Sequence, residues 1–234
     1  MKKLLVLFIC TGVAFAGLRI GGRIGYYDGN DPRTKQPSSG AVYGGQLVFP
    51  LLGLAELEIA GTYAGSESEI TMQQYLETYI EDEYGVSFKD DTAGLKEYLE
   101  DKWGWSPDSL DSQLFENYTT TFHDIDLGAT LKIKFPIGML PLHPYIGGGA
   151  GAHVLFSDAD VLMQIAAEQT GGRFSIDPYD KIHPGVHGVL GLSFDPPIVP
   201  ISAFGEYKYT KPLGGGKDEV DGISMFLFGI NLGF

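Results

Sequence analysis

In the last nine residues, FLFGINLGF, every second position is apolar. Phe226, Phe228, Ile230, Leu232 and Phe234 share one face, and Leu227, Gly229, Asn231 and Gly233 share the other. A period of two marks a strand whose two faces meet different surroundings. The same period recurs in seven earlier runs of about ten residues, broken by Gly, Pro, Asp and Ser clusters. These runs cover 18–27, 41–49, 55–63, 124–135, 145–156, 186–194 and 201–210. The clearest is 124–135, where Ile125, Leu127, Ala129, Leu131, Ile133 and Phe135 alternate with Asp124, Asp126, Gly128, Thr130, Lys132 and Lys134.

Alternation alone also fits a soluble sandwich or a lipocalin. Connection lengths separate these folds. Runs two and three meet around Pro50, runs four and five through 136–144, and runs six and seven through DPPIVP. The other connections, 28–40, 66–122, 157–185 and 211–222, are longer. Strict alternation of short and long connections puts all turns at one end and all loops at the other, as in bacterial outer-membrane barrels. The expected fold is therefore all-β, an eight-stranded antiparallel transmembrane barrel with helical insertions in long extracellular loops.

In lipid the apolar alternates point outward and the charged ones inward, because a charge on the lipid face at mid-membrane costs about 2–4 kcal/mol. Arg19, Arg23, Glu56, Glu58, Asp124, Asp126, Lys132, Lys134, Glu206 and Lys208 are thereby assigned to the lumen. Chain direction sets Glu56 and Glu58 level with Lys132 and Lys134 on adjacent strands, where opposite charges attract. It sets Arg23 and Glu206 near mid-height. Eight strands leave an interior that side chains can just fill, which favours a salt-bridged plug over an ion path.

The N-terminus has Lys2 and Lys3, an apolar run from Leu4 to Val13, and Ala14-Phe15-Ala16. This is the pattern of a secretory signal over residues 1–16, leaving a barrel over 17–234. Cys10, the single cysteine, falls inside that signal, so no thiol remains for a disulfide or a nucleophile. The formal net charge of −14 becomes two units more negative without Lys2 and Lys3, which argues against nucleic acid as a partner.

Segment 66–122 holds 14 of the 30 acidic side chains, three lysines and both tryptophans. Met72, Leu76, Tyr79 and Ile80 recur at helical spacing, as do Leu95, Tyr98, Leu99 and Trp103. Ser106 with Pro107 and Asp108 reads as a third helix start, and 158–169 as a helix in the next long loop. The apolar faces of these helices need cover. They pack on one another over the barrel mouth, or Tyr98, Trp103, Trp105 and Phe115 present a surface for recognition.

Chemistry is sparse. Asp28, Asn30 and Asp31 with Asp90 and Asp91 lack the spacing of an EF-hand, so no metal is assigned. His123 lies beside Asp124 and Asp126 near the outer end of run four, and His153, His183 and His187 cluster around runs five and six, His183 toward the loop end. Neither GxSxG nor HExxH occurs, and Thr119 to Thr121 have no motif around them. These histidines read as plain polar residues, so no catalytic residue and no cofactor is assigned. GGGAG, inside a strand, reads as close backbone packing rather than a phosphate loop.

The signal, PYIGGGAGAHV in run five, FGEYKYT in run seven and the terminal aromatic FLFGINLGF together resemble the small outer-membrane barrels of the OmpA/OmpX-like, porin-family type. The resemblance implies residence in the bacterial outer membrane, with outer-membrane lipid as surroundings. It also implies that Phe226, Phe228, Ile230, Leu232 and Phe234 are read by the barrel-assembly machinery. The expected role is structural or surface recognition of an extracellular protein or ligand, with a closed or nearly closed lumen. A small ion or solute pore is the alternative, and a lipid-modifying enzyme the third reading.

Overall fold

A computed structural model describes residues 17–30, 37–51, 54–89, 91–104, 117–158, 181–213 and 222–233. Eight strands close into one antiparallel barrel in sequence order. They are β1 (Arg19–Asn30), β2 (Pro37–Pro50), β3 (Ala55–Thr71), β4 (Asn117–Lys134), β5 (Leu142–Ser157), β6 (Lys181–Phe194), β7 (Ile201–Pro212) and β8 (Ile223–Gly233). The terminal zigzag closes the ring: β8 pairs with β1 through Phe226↔Tyr26, Phe228↔Ile24 and Leu232↔Ile20. Phe234 lies outside the described residues, as do the expected signal segment, the Ser106 helix, Trp105, Phe115 and most of 158–169.

The distribution of polarity is inverted relative to a soluble protein. Ile24, Leu127 and Phe228 are 67, 62 and 62% exposed on the outer face, while Arg23, Glu58, Asp124, Asp126 and Glu206 inside are at most 4% exposed. Such a surface suits hydrocarbon as its solvent. No helix among the described residues is long and apolar enough to cross a membrane.

Several strands run further than their alternation indicates. β3 and β4 are 17 and 18 residues long, against the 9–11 or so that cross a bilayer. Register continues through Ser66↔Phe122 and Glu69↔Thr119 to Thr71↔Asn117. The segment expected as a loop over 66–122 therefore begins and ends as strand. Likewise β1 reaches Asn30 and β2 starts at Pro37, and β6 starts at Lys181 inside the loop expected over 157–185. The cause is physical: once a strand leaves lipid its outer face no longer has to be apolar, so SESE opposite TTT keeps the pairing but loses the hydrophobic signal.

On that extension stand two helices, α1 (Met72–Tyr84) and α2 (Thr92–Trp103). Thr71 ends β3 and caps α1: its Oγ1 accepts from Gln74 N while Gln74 Oε1 accepts from Thr71 N, both at 3.1 Å. Gly85 closes α1 at φ 70°, a left-handed conformation that costs glycine nothing. Asp91 caps α2 through Gly94 N at 2.9 Å, and Gly104 ends it at φ 64°. Tyr75, Leu76, Ile80, Leu95 and Leu99 are buried, so the apolar stripes are covered.

Candidate functional site

The charged alternates of four strands, β1, β3, β4 and β7, meet in the lumen, in three tiers. At the end carrying the short turns, Arg19 contacts Glu56, and Lys134 reaches Glu56 (2.9 Å) and Asp195 (2.8 Å). Asp195 also accepts from Ser193 Oγ at 2.8 Å, faces Arg19 at 3.4 Å and has His143 Nδ1 at 3.2 Å. Burial alone would raise the Asp195 carboxyl. The hydrogen bond and charge of Lys134, the Ser193 hydroxyl and Arg19 outweigh it, holding the group below the usual carboxylate range.

At mid-height, Arg23 binds Glu58 at 2.6 Å and lies 3.8 Å from Glu206. Lys132 bridges Glu58 (2.7 Å) and Glu206, and Tyr145 donates its hydroxyl to Glu206 at 2.9 Å. The two cations also lie over aromatic faces: Lys132 Nζ is 4.9 Å from the Tyr145 ring centroid, and the Arg23 guanidinium is 5.6 Å from that of Phe204. Gln46 accepts from Arg23 and donates to Asn231, which donates to Ser202 at 3.3 Å. This tier crosses the lumen from β1 to β4 and β7.

Above it the lumen divides into two sectors. On β8, β1, β2 and β3, Tyr27, Val42, Ala64, Ile223, Met225 and Leu227 form a buried apolar cluster. On β4 to β7, Lys208 binds Asp126, His153 Nδ1 donates to Asp124 Oδ1 at 3.0 Å, and His187 Nε2 and Thr130 Oγ1 are 2.8 Å apart. His153 Nε2 faces Asp126 at 3.5 Å.

All ten residues assigned to the lumen from sequence thus lie inside the barrel wall, and the two pairs expected between β3 and β4 form as Glu58 with Lys132 and Glu56 with Lys134. The histidines require correction. His153, His183 and His187 are not exposed at loop edges but inside the wall, His153 fully buried. For His183 the reason is again strand length, since β6 starts at Lys181, ahead of the run expected over 186–194, whereas His153 and His187 lie within their expected runs on the inward parity. His123 does not join Asp124 and Asp126, because odd positions of β4 face outward. Its Nδ1 lies 2.6 Å from the Tyr63 hydroxyl, its Nε2 lies 3.4 Å from Asp158, and its ring stacks on Phe156 at 4.6 Å.

Two participants were missed. Asp195 follows Phe194, and carrying the alternation one residue past the strand end places it on the inward side with Ser193. Tyr145 has the right parity too, but nothing in its neighbours signalled a buried phenol. The glycine-rich run answers that point. A Cβ on Gly191 would lie 2.3 Å from the Tyr145 ring, and one on Gly149 would lie 2.6 Å from His187 Nε2. Glycine on one strand makes room for a large polar side chain from the next.

In the cap, Tyr98 packs against Phe88 (5.2 Å between centroids) and edge-on to Trp103 (5.7 Å), and Trp103 meets Tyr84 (6.0 Å). Of the four residues expected to form a recognition surface, Tyr98 and Trp103 are therefore neighbours. Asp28, Asn30 and Asp91 bring no metal-binding group together: among the described residues no cluster of three or more His, Cys, Asp or Glu could hold an ion.

No protein-family model matches the sequence, and no curated protein matches it. Solved structures do. Neisserial surface protein A is 12% identical, with a TM-score of 0.51 over 93% of this chain and 97% of that one. The N-terminal β-barrel domain of Pseudomonas aeruginosa OprF is 10% identical, with a TM-score of 0.46 over 94% and 98%. The outer membrane enzyme PagL is 10% identical, with a TM-score of 0.40 over 92% and 98%. At such identity the likeness to the Neisserial protein is one of fold.

Proposed function

We propose that this chain, an eight-stranded barrel of the small outer-membrane type, resides in the bacterial outer membrane as a closed wall that carries a helical recognition cap at the cell surface. The observation that carries this reading is the mid-height tier. Arg23, Glu58, Lys132 and Glu206 meet across the barrel axis, each almost wholly buried. Two cations and two carboxylates pair across the bore, and burying them is tolerable because each ion has a counter-ion, although Arg23 Nε and Glu206 Oε1 lack a hydrogen-bond partner. A bore filled in this way supports a structural role for the barrel over conduction. The capped and buried packing of α1 and α2 supports the cap as the presented element.

Planar-bilayer recording of the purified full chain tests the lumen. No stable channel is expected, and steady single-channel currents would replace the closed wall with a small pore. Placement is tested by a single label. With Cys10 removed alongside the expected signal the chain has no thiol, so Ser87→Cys in the α1–α2 connection becomes the only one. A membrane-impermeant maleimide should label it on intact cells, and labelling only after lysis would overturn the cell-surface reading.

A further inference from the structure

The connection between the helices runs back along one face of α2 and leaves a groove of about 620 Å³ lined by Val86, Phe88, Gly94, Glu97, Tyr98, Glu100 and Asp101. Gly94, Glu97, Tyr98 and Asp101 stand at spacings of three and four, so they share a single helix face. Leu95 and Leu99 on the opposite side are buried against the cap, so the groove is not the cap's own core. Its floor is the Phe88–Tyr98 ring pair, and its rim is carboxylate.

That rim works against the helix that bears it. Glu97 and Asp101 are four apart, and like charges at that spacing destabilise a helix by about 0.2–0.5 kcal/mol. No lysine stands three or four positions from either one: apart from the pair itself, Ala93, Gly94, Tyr98, Glu100, Gly104 and Trp105 occupy those places in the sequence. Lys96 is spaced to serve Glu100 instead. A pair of uncompensated carboxylates beside an aromatic face is complementary to a cation that is flat enough to stack and has several N–H donors. We propose that this groove docks an arginine side chain from a basic polypeptide segment, the guanidinium lying on Tyr98 between Glu97 and Asp101. The inference deepens the recognition role proposed for the cap and rests on it.

The full chain, folded in neutral detergent micelles, is titrated with a fluorescent oligoarginine peptide and with an oligoglutamate peptide, at low and at high salt. Oligoarginine should bind and oligoglutamate should not. Tyr98→Ala keeps every carboxylate and should weaken binding about two- to fivefold at both salt levels. Glu97→Gln with Asp101→Asn keeps the groove and should weaken binding about three- to tenfold at low salt, with a shallower salt dependence. Glu67→Gln with Glu69→Gln, an equal loss of charge on the outer face of β3, should change little. If oligoarginine does not bind, or if the β3 pair matters as much as the groove pair while Tyr98→Ala has no effect, the groove is not a site. Circular dichroism of each variant separates loss of the site from loss of the helix. Surface labelling of Ser87→Cys without peptide binding would sink the groove and leave the placement standing. Binding in micelles without surface labelling would do the reverse.

Discussion

The lumen and the helical cap carry charge under opposite rules. Inside the wall, Arg19, Arg23, Lys132, Lys134 and Lys208 are each paired with carboxylates within a few ångströms. Between the ends of β3 and β4, residues 72–116 carry 12 acids against three lysines, and in the cap Glu97, Glu100 and Asp101 stand exposed in water. The difference follows from solvation. An ion taken out of water loses several kcal/mol of hydration unless a partner replaces it, whereas an exposed carboxylate keeps its shell and tolerates imbalance. Compensation in the lumen therefore reports on folding, and imbalance in the cap is free to serve a partner.

The largest test of that contrast is Lys132→Met. It leaves Glu58 and Glu206 facing each other without the ammonium between them, and should destabilise the barrel by about 3–5 kcal/mol. Urea titration in phospholipid vesicles reads this out, and adding Glu58→Gln to the variant should recover part of the loss. A loss that is unchanged in the double variant would mean the tier is not electrostatically coupled. On the other side of the comparison, Leu99→Ala empties a buried position of α2 and should cost about 3 kcal/mol. The cost should fall on the cap alone, so protease cutting within 85–104 should accelerate while the barrel's urea midpoint stays put. A common shift of both would show that cap and wall fold as one unit.

Thr71→Ala removes one half of the capping box where β3 becomes α1, and should weaken the helix by about 1 kcal/mol. Hydrogen exchange in the first turn of α1 should rise, with β3 amides unaffected. The smallest effect concerns pH. The Asp195 carboxyl is held below its usual range, so its contribution is complete above the ordinary carboxylate value and is lost as pH falls through the depressed one. Stability measured on acidification should decline in part through this group, and Asp195→Asn should flatten that limb. An unchanged slope would place the acid sensitivity elsewhere in the lumen.

Legibility differed between parts of the molecule for definable reasons. Glu56, Glu58, Lys132 and Lys134 could be placed level with one another because lipid forces a strict two-residue parity and short turns fix direction. His183 could not, because it lies on the part of β6 that precedes the run expected over 186–194, where parity no longer shows in composition. Tyr145 was hidden for another reason: its burial depends on Gly191 of the neighbouring strand, and cross-strand neighbours are known only once register is known. In the cap, the 72–80 and 95–103 spacings announced two helices, but the Thr71 and Asp91 caps show only in the structure, and the face of α2 that stays open depends on where 85–88 lies against it.

The amino-acid pattern by itself determined the eight crossings, the face each residue takes, the end that bears the loops and the charges that share the interior. All of these follow from local alternation under a strongly apolar solvent. Tertiary structure alone decided which carboxylate meets which cation across the bore, how far the strands rise beyond lipid and which helix face remains unfilled. Those outcomes depend on closure of β8 onto β1 and on the stagger between strands, which bring together residues more than 170 positions apart, such as Arg23 and Glu206 or Gln46 and Asn231.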